Sequence, residues 1–475
     1  MRRLIVTVVV ALALGVGALA APSPALASPS PAPTPTVDGN QLIDSQTGNV
    51  FVPHGVNWPS FEYACQQGWG YDQGGDTLAA ARAMVSWHIN TVRIPMNEGC
   101  WLGYGLGSDD GTHLTEQGYR TELENWVSIL NSVGLVTILD LHYSAPDGED
   151  AYGQYPMADE DHSPTFWTSV ASQFASDNSV IFDAFNEPYS IWDDETNSLS
   201  YDLTWDCWQH GGAGCTAPDV GENQLQDGHG VYQIAGMQEL VTAIRAGGAT
   251  QPIMLGGRDY SNDLTGWLAH EPTDPLPQSN LIASWHNYPG QDCDTQTCWN
   301  QNILPVAASV PVVAGEFGET DGGNAFMLKF MTWADAHGIG YLPWAWWDVS
   351  ASEDKNASLY ALYKGSSFTP KYPEGTAYYT HLQTLALTPH GFSNVGAGSA
   401  LTGNAPPLPP TQRRPIVTEP ARQATSETPE TSVRVAPRIT TKSDLSGAAR
   451  ELAAMLASAA RVTSTFCAYR SARRF

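Results

Sequence analysis

Eight short apolar or β-branched runs, most of them closing on a polar or aromatic residue, alternate along this chain with longer amphipathic stretches. FVPHGVNW, INTVRIP, LVTILDLH, SVIFDAFNE, QPIMLGG, LIASWHNY, VPVVAGEFGE and GIGYLPWAWW read as strands. The segments between them carry helical periodicity. In TEQGYRTELENWVSIL, Tyr119, Leu123, Trp126, Val127 and Leu130 fall on one face, and in SPTFWTSVASQF, Ser163 caps a helix whose first residue is Pro164. Eight β-then-α units over roughly 350 residues predict an α/β fold of the (β/α)8 or TIM-barrel type. The alternative, a doubly wound sheet, would want a switch point and usually a Gly-rich phosphate turn, and no GxGxxG follows the first run.

A barrel of this kind collects its chemistry at the C-terminal ends of the strands. Polar residues stand at those ends here: Arg93 closes the second run, His142 the third, Asn186 and Glu187 the fourth, His286 and Tyr288 the sixth, Glu316 the seventh and Trp344 or Trp346 the eighth. Taken singly, each is as well explained by a structural hydrogen bond. Six strand ends in one consistent position are harder to explain that way, and burying Glu187 after SVIFDAF costs several kcal/mol unless something needs it. Glu98, Glu319 and Asp348 lack such placement and are expected to be solvated loop carboxylates or partners behind the site. Trp344 and Trp346 are expected on one side of their strand, with Trp347 opposite.

Two glutamates with aromatic rings in one cleft suit glycoside hydrolysis. That reaction needs a carboxylic acid to protonate the leaving oxygen, a second carboxylate across the sugar, and rings to stack on its apolar faces. It requires no metal and no organic cofactor, and none is expected. Asn186 is placed to hold the sugar 2-hydroxyl. The rival reading, a non-catalytic sugar-binding barrel, would keep the aromatic cleft and have no need of both glutamates.

Composition narrows the partners and the compartment. The formal charge of −27 disfavours nucleic acid and anionic membranes as partners and suits a neutral substrate. Arg2 and Arg3, an apolar stretch and then Ala-Leu-Ala predict a signal peptide over residues 1–27, hence secretion to the extracellular space and no membrane association after cleavage. Residues 28–40, opening SPSPAPTPT, read as a stiff tether, 41–390 as the catalytic domain and 391–410, containing NAPPLPP, as a linker. Residues 411–475 hold 11 Lys or Arg against 5 Asp or Glu and no Trp, and are expected to be a mostly disordered tail. Six central cysteines fit an oxidising compartment. Short gaps favour Cys207 with Cys215 and Cys293 with Cys298, leaving Cys65 for Cys100, among fifteen connectivities. The zinc alternative lacks a CxxC pair.

The set TVRIP, LDLH, FNEP, WHNY and GEFGE, in this order at strand ends two, three, four, six and seven, resembles glycoside hydrolase family five, the cellulase family within the retaining (β/α)8 clan. The resemblance covers about residues 41–390. It implies that Glu187 is the acid/base and Glu316 the nucleophile, with Arg93, His142, Asn186, His286, Tyr288 and a strand-eight Trp, read as Trp344, around them. It also implies a monomer acting on a polysaccharide or oligosaccharide by double displacement, with Arg93 and Tyr288 bonded to Glu316. The substrate class it implies is a β-linked glycan: β-1,4-glucan first, then a mannan or a β-1,6-galactan.

Overall fold

The computed structural model describes residues 31–387, apart from 69, 110–111, 149, 194–197, 221–229 and 353. The expected signal peptide, linker and tail lie outside the described residues.

One eight-stranded parallel sheet organises the fold: β1 (Gly55–Asn57), β2 (Thr91–Asn97), β3 (Val136–Tyr143), β4 (Val180–Asp183), β5 (Ile253–Gly256), β6 (Leu281–Asn287), β7 (Val312–Phe317) and β8 (Gly340–Pro343). Neighbours in sequence are neighbours in space. The ends of the sheet meet through a parallel bridge between His54 and Tyr341, so the sheet curls into a nearly closed barrel. Each of the eight strands coincides with one of the eight apolar runs, β2 running two residues and β3 one residue beyond its end. The right-handed crossover rule and a helix after most strands leave this as the favoured arrangement.

Helices form where apolar spacing and caps agree. Helix α1 (Leu78–Ser86) is capped by Thr77, whose side chain accepts from Ala80 N. Helix α2 (Glu116–Ser132) is capped by Thr115 and buries the five residues predicted for its inner face. Helix α3 (Ser163–Phe174) begins one residue before Pro164, but Ser163 is its first residue rather than its cap, and its hydroxyl turns to Glu98 and Asp159 instead. The residue before Ser163, His162, stands at the cap without a side-chain capping bond, and its own N–H donates to Asp159 Oδ1 at 2.8 Å. Helices α4 (Met237–Ala246), α5 (Ala325–His337) and α6 (Glu374–Ala386) follow β4, β7 and β8. The connection after β5 contains only short helical turns, whereas after β6 the segments Gln296–Cys298, Trp299–Ile303 and Leu304–Ala307 run on as one helix with a π-helical middle.

Side-chain alternation splits the core in two. Val136, Ile138, Ile181, Met254, Ile282, Val313 and Leu342 fill the barrel interior, while the outward residues of the same strands pack against the helices. Each such burial contributes roughly 1.5–3 kcal/mol. Val37, Leu42 and Phe51 join the interior cluster from below. Val37 and Leu42 come from a hairpin, Pro35–Asp38 paired with Gln41–Asp44, that closes the N-terminal end of the barrel. Pairing therefore starts at Pro35, inside the stretch expected to be a tether up to residue 40. The two apolar side chains Val37 and Leu42, spaced to face one way, supply the burial that the Pro-rich residues before them cannot.

Among the described residues three disulfides join Cys65 to Cys100, Cys207 to Cys215 and Cys293 to Cys298. The first ties the segment after β1 to the short helix Glu98–Leu102 after β2.

Candidate active site

Above the apolar interior the inward-facing residues change character. Alternation on β3 puts Ile138, Asp140 and His142 on one face, and on β4 it puts Ile181 and Asp183 there. Arg93 comes inward from β2 and is wholly buried. Its Nε donates to Asp183 at 2.9 Å, Nη1 to Asn57 at 3.0 Å and to Glu316 at 2.7 Å, and Nη2 to Asn186 at 2.9 Å, with Asp140 at 3.0 Å from Nη2. Every N–H direction of the guanidinium is thereby occupied.

Glu316 reaches the same face through an irregularity. Opposite β6, Trp285 pairs with Ala314 and His286 with Glu316, so Gly315 is the extra residue of a bulge. That insertion turns Glu316 inward next to Gly315. Its second oxygen accepts from Tyr288 Oη at 2.9 Å. The carboxylate is thus gripped by Arg93 on one oxygen and Tyr288 on the other.

Glu187 lies beyond the end of β4 in a left-handed backbone conformation, φ 48°, which a non-glycine residue adopts only under constraint. The constraint is visible: Asn186 N donates to Leu141 O at 2.9 Å and Tyr189 N to Pro156 O at 2.9 Å. One carboxyl oxygen of Glu187 faces His286 Nδ1 at 2.9 Å and the other faces Gln154 Nε2 at 3.3 Å. Ligating atoms of Glu187, His286 and Glu316 lie within 4.8 Å of one another, so the two carboxyls face each other across a short gap.

The electrostatics separate the acids. Burial pushes Glu187 up to about 7, against the opposing pull of the Gln154 hydrogen bond and the Arg93 charge. Burial likewise raises Asp140 to about 7 and Asp183 to about 6, only partly offset by Arg93. His142 and His286 are both lowered to about 4, chiefly by burial, so both rings are neutral near pH 7. His142 Nδ1 sits 2.7 Å from Asp140 Oδ2, so the two side chains share a hydrogen bond. A neutral His286 suits Glu187 in either state, donating to the carboxylate or accepting from the acid.

Trp344 stacks on His142 with ring centroids 5.6 Å apart and is half-buried. Trp346 does not share its side. Strand β8 ends at Pro343, alternation stops there, and Trp346 is buried between Trp87 and Tyr363 in the outer core. The structure therefore brings Arg93, His142, Asn186, Glu187, His286, Tyr288, Glu316 and Trp344 to one end of the barrel.

The other acids divide. Asp348 is exposed and accepts from Gly365 N at 2.7 Å. Glu98 and Glu319 are not solvated. Glu98 is fully buried, accepting from Tyr104 Oη at 2.8 Å and Ser163 Oγ at 2.6 Å, because the short helix it opens packs inward. Glu319 is buried and accepts from Met327 N at 3.0 Å, at the start of α5. Among the described residues two clusters could geometrically hold a metal ion: Glu98 with Asp159 and His162, and Glu187 with His286 and Glu316. In the second, Arg93 and Tyr288 already occupy both oxygens of Glu316.

Asn57, Asp140, Asp183 and Gln154 belong to this site and were not singled out from sequence. Asp140 stands two residues before His142 and Asp183 four before Glu187, so period-two counting back from the strand ends could have found them. Asn57 is the last residue of β1, one before the end of the first apolar run. Gln154, in the long loop after β3, carries no sequence signal at all.

A parallel barrel with paired buried glutamates at the C-terminal ends of its strands defines a (β/α)8 protein of the kind that carries its chemistry there. The family model "Cellulase (glycosyl hydrolase family 5)" matches residues 45–350, and the chain belongs to that family. Over 307 residues the chain is 24% identical to "Endo-beta-1,4-glucanase B" of Emericella nidulans, covering 59% of this chain and 78% of that one. It is 23% identical to "Mannan endo-1,4-beta-mannosidase" of Streptomyces lividans over 65% of this chain and 64% of that one. "Endoglucanase gh5-1" of Neurospora crassa is 37% identical over 79 residues, 16% of this chain and 18% of its own length. Among solved structures, a beta-glucanase from Saccharophagus degradans superposes with a TM-score of 0.52 at 17% identity, covering 77% of this chain and 98% of that one. An endocellulase from Pyrococcus horikoshii gives 0.51 at 16% identity over 74% and 98%.

Proposed function

We propose that the protein is a secreted endo-acting glycoside hydrolase that cleaves a β-1,4-glucan with retention of configuration. The observation that carries the reading is the short gap between two carboxyls in unlike surroundings, Glu187 beside neutral imidazole and an amide, Glu316 between a guanidinium and a phenol. Retaining enzymes hold their carboxyls about 5–5.5 Å apart and inverting ones about 6.5–9.5 Å apart. Glu187, protonated, gives its proton to the glycosidic oxygen while Glu316 attacks the anomeric carbon and the glycosidic bond breaks. Glu187 then takes a proton from the water that displaces Glu316 and releases the sugar.

The surrounding groups fit this sequence. With Oδ1 on Arg93, Asn186 has its amide N–H left to donate to a sugar hydroxyl. Trp344, held by its stacking on His142, offers an apolar ring face to a pyranose. The β-1,4-glucan choice is supported by the names of the fungal relatives and by a Saccharophagus degradans beta-glucanase solved with cellotetraose. The Streptomyces lividans relative makes mannan the second substrate. Among the described residues no helix is long and apolar enough to cross a membrane. Export through residues 1–27 is checked by finding a mature N-terminus at Ser28 in the culture medium.

The test of the function is a hydrolysis panel of soluble cellulose derivative, mannan, xyloglucan and β-1,6-galactan, run on the wild type, Glu187→Gln and Glu316→Gln. We expect the highest turnover on the cellulose derivative and a loss of about 10³-fold or more in both variants, with oligosaccharide binding retained. Unchanged turnover in either variant would contradict the assignment.

A further inference from the structure

We infer that Gln154 is a positioning residue for Glu187, holding both the backbone turn that presents this side chain and the carboxylate that it becomes in mid-reaction. The inference rests on the proposed acid/base role of Glu187. Gln154 is nine-tenths buried, in the loop between β3 and α3. Its Nε2 lies 3.0 Å from Glu187 O, 3.4 Å from Asn186 O and 3.3 Å from Glu187 Oε2. One amide nitrogen therefore spans the two carbonyls of a left-handed turn and the functional group that the turn projects. Its own main chain is tied back to the same turn, because Gln154 O accepts from Tyr189 Oη at 3.1 Å.

The two ends of the Glu187 carboxyl are held by unlike partners. His286 can donate or accept, so it accommodates both protonation states. Nε2 of an amide can only donate. It favours the carboxylate over the acid and opposes the desolvation that raises this group. Other groups face Glu187 from neighbouring strands: Arg93 on β2, Asp140, His142 and Tyr143 on β3, His286 on β6 and Glu316 on β7. Asp140 and Glu316 oppose ionisation, Arg93 favours it, and the two imidazoles are neutral near pH 7. Gln154 is thus the donor from outside the strands that lets the second step proceed: once the proton has gone to the leaving group, the resulting anion has a fixed N–H to rest against until water returns one.

Gln154→Met keeps the length of the side chain and removes the donor. In kcat/KM, which requires protonated Glu187, the basic limb moves up by about one pH unit, since a hydrogen bond to a charged group is worth about that shift. In the same variant kcat falls about tenfold below the limb, where deglycosylation depends on the carboxylate. Gln154→Glu, whose neutral acid can donate but whose anion repels, moves the limb at least as far and gives a second reading should the methionine variant fold poorly. Both are measured on an aryl β-1,4-glucan oligoside beside Glu187→Ala with and without azide. Azide rescue of Glu187→Ala, with its basic limb gone, upholds the role of Glu187. A limb unmoved in both Gln154 variants would then overturn the inference about Gln154 alone, and reduce that residue to a tie for its loop. A Glu187→Ala variant that keeps the wild-type limb would overturn the role of Glu187 instead.

Discussion

Arg93 directs all of its donors into the barrel, toward Asn57, Asp140, Asp183, Asn186 and Glu316. A single buried cation cannot balance four nearby carboxyls, so the acids do not all ionise. Glu187 makes no bond to Arg93 and is raised to about 7, whereas Glu316 is bonded to it directly. The sign for activity follows. An acid catalyst must be protonated, so kcat/KM is full below the folded value and declines about tenfold per unit above it. The expected profile on a soluble substrate has a basic limb near pH 7. A limb near the ordinary glutamate value of 4.5 would show that Glu187 is not the group whose proton is used.

At the scale of the element, the bulge on β7 decides whether Glu316 can serve. A Cβ on Gly315 would stand 3.0 Å from His286 Nε2 and 3.1 Å from Ser284 Oγ, tighter than ordinary packing tolerates. Gly315→Ala is therefore expected to push His286 away from Glu187. Turnover should fall about tenfold, while the melting temperature drops by only a few degrees, about what 1 kcal/mol gives in a large domain. Wild-type turnover in that variant would contradict the dependence on His286. The bulge also shows what sequence could and could not provide. Apolar runs and their polar ends made all eight strands and eight site residues legible, because alternation holds within a strand. It fails past a strand end or across an inserted residue, which is why Trp346 was set beside Trp344, and why nothing in VPVVAGEFGE showed how Glu316 turns inward.

Across the whole molecule, the site is assembled from residues far apart in sequence, and the barrel alone brings them together. The N-terminal hairpin seals one end with Val37 and Leu42, packed beside Phe51, and the loops after β3 and β4 shape the other. Loops and short helical turns were the least legible part: Gln154 and buried Glu319 lie outside the strands and helices and buried Glu98 opens a helix of only five residues, where burial depends on tertiary packing rather than on local pattern. The central claim is that Glu187 and Glu316 act in succession on one sugar, which requires a covalent glycosyl-enzyme and so two inversions. Proton NMR of the first products from a β-linked oligosaccharide, recorded before mutarotation, tests this most directly. The account predicts that the β-anomer of the new reducing end appears first and the α-anomer grows in later; the α-anomer appearing first would contradict it.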